Sequence, residues 1–542
     1  MTNIFIFNNA SRAASYGIGT YIKQLTEGLS VIPDTKVSLV EMHANTKEFA
    51  ISNDEDGTRH YLIPSLQSGM ESETYCRIIF YFLARNIDYV EDDKLVFQFN
   101  YFQHYPLAML LKAWYVNSSI VLTVHYMNWC FELNGNVRRM REITAEGYEA
   151  TDDKERGVIS SYAGEKMFLH LADAVLVLSN RTMDILVNDY YVSVDKMHLV
   201  YNGIFSDTCC GSLSCSGKGT QRNILYVGRL DEVKGLKYLL SAYEKIVDKY
   251  HDIHLVIVGD GDFQPYMEQC RAFHGRVSFL GKMQSVDVDK VYESANIGVA
   301  PSFHEQCSYT VIEMMRHGIP IIGTDSTGLA EMLEATPELR VHIDEDNFNE
   351  DGFVSQIISR MDLLLSDDTA FQLASDAVLK RYKEKYTLEN MTRGVQDIVQ
   401  ALQTNSFPIV SSDYLPHMDN LMIALINRHP DIDMDFYGIA GIGIYLWRRV
   451  LQLEKDAAAN TNRIVMIKEH LIYYLDWLDE VIDEEPLWDG LYLMLTNMKE
   501  QGFCPVLAGR ILGHDKISCN DMSFPSEQEI IKNALKICTC KI

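Results

Sequence analysis

The sequence has no long apolar segment and little positive charge. Its longest apolar stretch, around 106–125, is interrupted by Lys112 and Asn117 and falls short of the about 18 apolar residues that mark a membrane-spanning helix. The 48 Lys and Arg stand against 75 Asp and Glu, a formal charge of −27. This charge disfavours a nucleic acid or an anionic membrane as partner, because both attract cationic surfaces. The arginines of 137–143 (VRRMREI) leave a peripheral membrane contact open, although a solvated helix face is the plainer interpretation.

We expect neither disulfide-bonded cysteines nor a leader segment. The eleven cysteines of the 542-residue chain are an odd number, which suits reduced thiols better than a disulfide framework. Neither the cluster 209–215 nor the pair Cys538 and Cys540 has the spacing or the nearby histidines of a metal site. The N-terminus runs directly into an apolar, strand-like segment. We therefore expect a cytoplasmic protein without a bound metal.

Short β-branched runs alternate with helical stretches over about the first 400 residues. Apolar runs such as 174–179 (AVLVLS) indicate strands buried on both faces of a parallel sheet. The alternation restarts after a small, polar segment at 206–221, which reads as a surface loop or hinge. The sequence thus predicts an α/β fold with two consecutive doubly wound domains, 1–205 and 206–403. Ligands of such sheets bind at the carboxyl ends of the strands, so we expect the active site in the cleft between the domains. The predicted strands are 4–8, 37–43, 95–100, 120–125, 174–179, 198–202, 223–227, 254–258, 277–280, 297–301 and 321–324.

The last part of the chain has a different character. From residue 404 no further strand-like runs occur, and 416–428, 437–454 and 465–483 show helical periodicity. We predict a separate all-helical module over 404–542.

Two glutamates, Glu305 and Glu313, carry the strongest functional signal. Seven residues separate them, in a stretch that predicts a strand, a loop with Glu305 and a short helix with Glu313 in its first turn. Ser308 is a good N-cap, whose hydroxyl would accept from first-turn N–H groups. The N-terminus of this helix would direct partial positive charge at a phosphate. The array is therefore suited to a phosphorylated, hydroxyl-rich ligand.

Three further groups follow predicted strands. Arg229 and Lys234 could stabilise the charge that develops on a diphosphate leaving group, although they could also be solvated loop cations. His125 closes a buried strand and could donate to a sugar hydroxyl, or could be a satisfied core histidine. Gly17 and Gly19 would let the backbone approach a ligand after the first strand. The three-glycine dinucleotide fingerprint is absent there, so a dinucleotide oxidoreductase is not supported.

In this order, these segments resemble the retaining GT-B glycosyltransferases, specifically family four of the nucleotide-sugar transferases. The resemblance covers about residues 1–400. It rests on the glycine turn, His125, the Gly-Arg…Lys-Gly stretch 228–235, the segment 256–262 (VIVGDGD), and the two-glutamate motif with 318–331 after it. It implies two Rossmann-like domains that face each other across a cleft, no metal and no cofactor, with a UDP- or GDP-sugar as substrate.

The resemblance also implies roles for individual residues. Arg229 and Lys234 would bind the donor diphosphate, and Glu313 would hydrogen-bond the ribose. Glu305 would contact a hydroxyl of the transferred sugar, and His125 would hold that sugar from the opposite domain. The backbone of Ser308, Tyr309 and Thr310 would complete the phosphate cradle, and the backbone near Met283 would meet the base. Many relatives have glycines where this chain has residues 306–309, so the bulk of Tyr309 could change which sugar is accepted.

Several alternatives stay open. The motif 437–446 (YGIAGIGIYL) resembles a repeat element of lanthionine synthetase C-like proteins, which hints at a peptide contact, although plain helix packing also explains it. An inverting GT-B transferase would need a general base, for which His125 is the candidate. The alternative that is not an enzyme is a catalytically inactive sugar- or nucleotide-binding module, with the helical tail as its partner surface. The acceptor could be a saccharide, a lipid-linked carrier, a small molecule or a peptide.

Overall fold

The computed structural model of the protein describes most of the first 402 residues. The described stretches are 1–9, 17–54, 57–65, 72–87, 93–115, 118–205, 221–344 and 347–402. Several predicted features lie outside them, namely nearly all of the hinge, the cysteine clusters 209–215 and 538–540, and the helical module 404–542 with its 437–446 motif. The predicted domain boundaries after 205 and 403 adjoin residues outside the described stretches and stay predictions.

The chain forms two compact units. The first comprises Met1–Pro64, Val96–Phe102 and Ser119–Gln403 and holds the bulk of two β-sheets. The second comprises Ser65–Leu95, Gln103–Ser118 and Thr404–Ile542. Within its described part, helices Ser72–Asn86 and Tyr105–Trp114 pack against each other.

The first sheet has eight strands. They are β1 Thr2–Asn9, β2 Thr35–Ala44, β3 Ala50–Asn53, β4 Arg59–Pro64, β5 Lys94–Phe99, β6 Ser118–Val124, β7 Ala174–Val177 and β8 Met197–Leu199. Their order is β3-β4-β2-β1-β5-β6-β7-β8. β1, β2 and β4 pair in parallel, as do β6, β7 and β8, whereas β3 runs antiparallel to β4. The sequence prediction missed β3 and β4, because β3 is a largely exposed edge strand and neither has a continuous apolar run.

The second sheet is parallel throughout its paired strands. Its strands are β9 Arg222–Val227, β10 Ile253–Val258, β11 Val277–Gly281, β12 Ala295–Ala300, β13 Ile321–Thr324 and β14 Arg340–Val341. Their order is β11-β10-β9-β12-β13-β14. β14 has two residues and was not predicted from the sequence. The predicted α/β class with two Rossmann-like lobes is confirmed.

Helices alternate with the strands along the chain. Those of the first half are α1 Gly17–Ser30, α2 Ser72–Asn86, α3 Tyr105–Trp114, α4 Trp129–Glu132, α5 Val137–Ile143, α6 Asp153–Leu171 and α7 Asn180–Asn188. Those of the second half are α8 Leu236–Ile246, α9 Gln264–Gln269, α10 Ser285–Ser294, α11 Tyr309–Arg316, α12 Thr327–Met332, α13 Glu350–Ser366, α14 Asp368–Lys385 and α15 Leu388–Ala401.

α15 returns the chain to the first lobe, where it packs against α1. Gly28 of α1 faces this contact so closely that an added Cβ would lie 2.1 Å from Oγ1 of Thr392. One cluster of buried apolar side chains extends from Ile4 and Leu25 of the first lobe to Met314 of α11 and Val395 of α15. The two lobes therefore share a continuous core on this side.

The arginines of α5 form ion pairs rather than a free cationic patch. Arg139 lies 3.0 Å from Glu142, Arg138 lies 3.4 Å from the same side chain, and Nε of Arg141 lies 2.7 Å from Asp189. This geometry favours the solvated helix face over a basic docking patch. No described helix is both long and apolar enough to cross a membrane.

Candidate functional site

The loop that follows β12 carries Glu305 and is hydrogen-bonded to the start of α12. The N–H of Gly328 donates to the carbonyl of Glu305 at 2.7 Å, and the N–H of Glu305 donates to Oγ1 of Thr327 at 3.0 Å. An added Cβ on Gly328 would lie 1.6 Å from the carbonyl oxygen of Gln306. Only glycine permits this approach, so Gly328 helps to fix the position of the loop that carries Glu305.

Lys234 and Glu305 form an ion pair at the carboxyl ends of β9 and β12. Both side chains are more than four-fifths buried. Gly235, after Lys234, has a φ of 71°, and an added Cβ would lie 2.1 Å from the carbonyl oxygen of Pro301. The left-handed backbone at Gly235 therefore lets this turn approach the end of β12, which places Lys234 next to the loop that carries Glu305.

Arg229 also has a carboxylate partner. Its guanidinium lies 3.0 Å from Oδ2 of Asp231, and the hydroxyl of Tyr226 donates to its carbonyl at 2.7 Å. The two cations predicted to face a diphosphate thus each pair with an acid in the structure. A phosphate that binds them would have to replace or bridge these pairs.

Glu313 lies in a separate hydrogen-bond network. The hydroxyl of Tyr292 donates to its Oε2 at 2.7 Å. Burial raises the pKa of the Glu313 carboxyl, and the bond from Tyr292 opposes that rise. The prediction that Glu313 lies in the first turn of its helix was wrong, because α11 begins at Tyr309 and Glu313 is its fifth residue.

The N-terminus of α11 differs from the prediction in one further respect. Ser308 occupies the N-cap position, with φ −73° and ψ 121°, but its hydroxyl makes no capping hydrogen bond. It lies instead 3.1 Å from Oγ1 of Thr310. Tyr309 is buried, and its hydroxyl has no hydrogen-bond partner among the described residues. The first-turn N–H groups therefore receive no side-chain cap from Ser308, and the buried phenol beside them is unpaired.

His125 follows β6 in the first lobe and is hydrogen-bonded to the buried side chain of Asn100. Asn100 donates from Nδ2 to the carbonyl of Phe7 at 3.0 Å, which turns Oδ1 of Asn100 toward Nε2 of His125 at 3.0 Å. Nε2 of the ring therefore carries the proton and donates. Burial lowers the pKa of His125 to about 3. The ring of Tyr21 meets the imidazole edge-on, with centroids 4.6 Å apart.

Gly17 and Gly19 lie in the first turn of α1, because the helix begins at Gly17. A Cβ on Gly17 would meet no described atom within 4 Å. Met283 follows β11 and packs at the edge of the shared apolar core. These three residues are placed at the carboxyl ends of β1 and β11, and the structure shows no polar contact that would define a role for them.

Sequence reasoning did not identify the contacts that Gln306 makes across the lobes. Its Oε1 accepts from the hydroxyls of Ser179, at 3.1 Å, and Thr182. Beside it, Nδ2 of Asn202 donates to the carbonyl of Cys307 at 2.6 Å. The residues that replace the expected glycines therefore join the second lobe to the first. Their partners lie more than 100 residues away in the chain, so no local sequence pattern indicated these contacts.

A second cross-lobe contact involves Glu331 of α12. Its carboxylate accepts from the N–H of Asn180 at 2.8 Å and from Nδ2 of the same residue at 2.5 Å. The hydroxyl of Tyr201 donates to it as well. The negative charge of Glu331 at the start of α7 also interacts favourably with the positive end of the dipole of that helix.

His304 was also missed. It is 8% exposed, and neither ring nitrogen has a hydrogen-bond partner among the described residues. Burial lowers its pKa to about 4. It precedes Glu305, and a Cβ on Gly135 of the first lobe would lie 3.5 Å from its Nδ1. A buried, unpaired imidazole thus lies between the Lys234–Glu305 pair and the first lobe.

Solved structures share this two-lobed architecture. Sucrose-phosphate synthase from Thermosynechococcus elongatus aligns with 74% of this chain and 98% of its own, at a TM-score of 0.57 and 18% identity. Anabaena HepE in complex with UDP and glucose aligns with 74% of this chain and 100% of its own, at a TM-score of 0.52 and 13% identity. The fold is GT-B.

The second GT-B lobe also matches a family by sequence. Residues 221–362 match the model of the family described as glycosyl transferases group 1, and this range holds Arg229, Lys234, Glu305 and Glu313. An uncharacterized glycosyltransferase of Methanocaldococcus jannaschii is 29% identical over 187 residues, which are 32% of this chain and 47% of that relative. The chain thus spans about half the length of the curated relative it matches. By sequence, the second lobe is thus similar to glycosyltransferase group 1 domains.

Proposed function

We propose that the protein is a retaining glycosyltransferase that moves a hexose-type sugar from a UDP- or GDP-sugar to a hydroxyl acceptor, without a metal ion or cofactor. The observation that carries this proposal is the buried Lys234–Glu305 pair, at the carboxyl ends of β9 and β12 in a group 1 domain. A GT-B relative, Anabaena HepE, has been crystallised with UDP and glucose. A cytoplasmic location is part of the proposal and is supported by the buried cysteines Cys130, Cys270 and Cys307, which form no disulfide among the described residues.

The donor would lie along the second lobe. Lys234 and Arg229 would turn from their carboxylate partners to the diphosphate, and the backbone N–H groups at Ser308–Thr310, of which that of Ser308 lies 3.3 Å from Sδ of Met332, would complete its cradle. Glu313 would take the ribose hydroxyls and the backbone near Met283 the base. The unpaired phenol of Tyr309 supports a polar ligand group at this point, because buried hydroxyls are rarely left without a partner.

The transferred sugar would lie between the lobes. Glu305, freed from Lys234, would accept from a sugar hydroxyl, and His125 would approach from the first lobe, with Gly17 and Gly19 leaving room for the ligand. The bond between the anomeric carbon and the phosphate oxygen breaks as the acceptor oxygen bonds to that carbon from the same face. The departing phosphate takes the proton of the acceptor hydroxyl, so no protein nucleophile is required. Catalysis would then come from positioning and from the cations that stabilise the departing charge.

The geometry of His125 disfavours the inverting alternative. A general base must accept the proton of the acceptor hydroxyl. Nε2 of His125 carries a proton and donates to Asn100, so Nδ1 would have to act as the base, and a pKa of about 3 makes the ring a weak base near neutral pH. A neutral imidazole can still position a sugar, which is the role we assign to it.

The proposal is tested by incubation of the full chain with UDP- and GDP-sugars and measurement of nucleotide release, followed by proton NMR of the anomeric signal of any product. We expect release from at least one donor and a product with the donor's anomeric configuration. The opposite configuration would support an inverting enzyme. Nucleotide binding without release from any donor would instead support a binding module and overturn the enzymatic proposal.

A further inference from the structure

A cavity of about 550 Å³ lies on one flank of the Lys234–Glu305 pair, and the donor assignment does not use it. It is bounded by the turn after β9, the loop after β12, the carboxyl ends of β13 and β14, and the Leu133–Asn136 turn of the first lobe. Its size is within the usual range of small-molecule sites.

The position of the cavity relative to the proposed reaction centre is set by the backbone. The N–H of Phe303 donates to the carbonyl of Val233 at 2.8 Å, which fixes the two loops side by side. Both residues line the cavity. Lys234 and Glu305 follow them by one and two residues and form the ion pair. Neither member of the pair lines the cavity, so a molecule in the cavity would be adjacent to the two loops that carry the pair.

One wall of the cavity is aromatic. The ring of Phe303 lies 5.5 Å from that of Tyr238 and 5.2 Å from that of Phe348, between centroids, and Tyr238 and Phe348 are 5.5 Å apart. Phe348 stays 39% exposed. Aromatic faces that border a polar cavity suit the apolar C–H faces of a sugar ring.

The charged groups of the cavity are mostly acidic. Glu232, Asp325 and Asp344 line it, against Lys237 and His342. Nδ1 of His342 lies 2.6 Å from Oδ2 of Asp325, and this contact raises the pKa of the imidazole. The excess of carboxylates provides acceptors for hydroxyl or ammonium groups and repels anions.

A second feature lies next to this edge of the cavity. Asn134 and Asn136 line the cavity, and Gly135 between them packs against the buried His304. Both nitrogens of that imidazole lack a hydrogen-bond partner among the described residues. Unpaired buried polar groups are uncommon in native proteins and often mark a functional position.

We infer that this cavity is the acceptor pocket and that it takes a neutral or amine-bearing sugar or cyclitol, not a phosphorylated or carboxylated one. The inference rests on the proposed transferase function, because the acceptor must lie beside the leaving group. It places the acceptor against Tyr238 and Phe348, with its reactive hydroxyl toward the Lys234–Glu305 pair.

Saturation-transfer NMR on the full chain tests the pocket, with glucose, glucosamine, maltose and glucuronate as probes. We expect signal from at least one of the first three, and weaker signal from glucuronate than from glucose. Phe348→Ala should reduce the transfer at least about fivefold, since anchoring aromatics dominate such sites. Leu373→Ala is the matched control, because Leu373 is 67% exposed on α14 and outside the cavity lining, and it should leave the transfer unchanged.

Absence of transfer from all three probes, or equal transfer in Phe348→Ala and the wild type, would overturn the inference; so would glucuronate binding as strong as that of glucose. Affinity for UDP and for GDP, measured in parallel by calorimetry, separates this failure from failure of the proposed function. A pocket defect should leave UDP affinity unchanged in Phe348→Ala. Sugar binding that depends on Phe348 in a chain without nucleotide affinity would count against both the donor proposal and the acceptor assignment.

Discussion

Lys234 and Glu305 are 71 residues apart in the chain, yet the ammonium of one donates to the carboxylate of the other. Each follows a strand of the second sheet, β9 or β12, and these strands are hydrogen-bonded neighbours. A pair in which both partners are largely buried is costly to break unless a ligand replaces the lost contact. In the proposed function the donor would supply that replacement, with its phosphate contacting Lys234 and its sugar contacting Glu305.

Replacement of Lys234 tests this relationship. Lys234→Ala should lower kcat by a factor that corresponds to about 2–4 kcal/mol, because a cation aimed at the departing phosphate acts mainly in the transition state. Lys290→Ala, which removes an exposed lysine of α10 paired with Asp287, is the control and should be neutral. Steady-state kinetics with the accepted donor measure both variants. Turnover of Lys234→Ala within about twofold of wild type would refute the assigned role.

Gln306 provides a test of the cross-lobe contact. Gln306→Leu keeps the volume but leaves the hydroxyls of Ser179 and Thr182 without their acceptor, so we expect a loss of roughly 1–3 kcal/mol in the free energy of unfolding. Urea unfolding of the full chain measures it. Gln372→Leu on α14, at an exposed hydrogen bond to Asp376, should change stability by no more than about 0.5 kcal/mol. An equal effect of the two substitutions would mean that the contact adds no stability.

The fold was largely predictable because buried parallel strands have a local signature. β6 and β7 are buried at every position, and their continuous apolar runs are visible in the sequence. β3, β4 and β14 lack such runs, since they are short or lie toward an edge of their sheet. A strand can thus be predicted from the sequence when most of its residues are buried and apolar. Edge strands are more exposed and lack this pattern.

The site was predictable only in its residue types. The glutamates and cations stand out because acids and bases next to predicted strand ends are unusual, but the sequence could not show that Lys234 pairs with Glu305 or that Arg229 pairs with Asp231. His304 has no local signal at all. Its interest arises only from its burial beside Gly135, which depends on how the two lobes meet.

Glu165 should make the stability of the first lobe depend on pH. The carboxylate accepts from the N–H of Asn128 and from the hydroxyl of Tyr190, each at 2.6 Å. Burial nevertheless raises its pKa to about 7. The folded state therefore binds this proton more tightly than the unfolded chain, so its contribution is present at low pH and is lost as the pH rises from about 4.5 through about 7.

Comparison with Glu165→Gln isolates this effect, because the other titrating groups are the same in both proteins. The stability of the wild type relative to the variant should fall between about pH 5 and about pH 8, by up to about 3 kcal/mol, since one pKa unit corresponds to about 1.36 kcal/mol. Denaturant unfolding at a series of pH values measures the difference. A difference that is constant over this range would show that the carboxyl titrates at its ordinary pKa.

Gly328 tests whether the position of the Glu305 loop matters for the reaction. In Gly328→Ala the new methyl group would lie 1.6 Å from the carbonyl oxygen of Gln306 and 3.0 Å from that of Glu305. Backbone must move to relieve this overlap, so both stability and kcat should fall, the latter by about 100-fold if catalysis requires a displacement of less than about 1 Å. Gly164→Ala is the matched control, because Gly164 lies within α6 with no described atom near the added Cβ, and it should stabilise the protein by up to about 1 kcal/mol. If Gly328→Ala lowers the melting temperature but leaves kcat unchanged, the loop tolerates displacement and the placement of Glu305 does not limit the reaction.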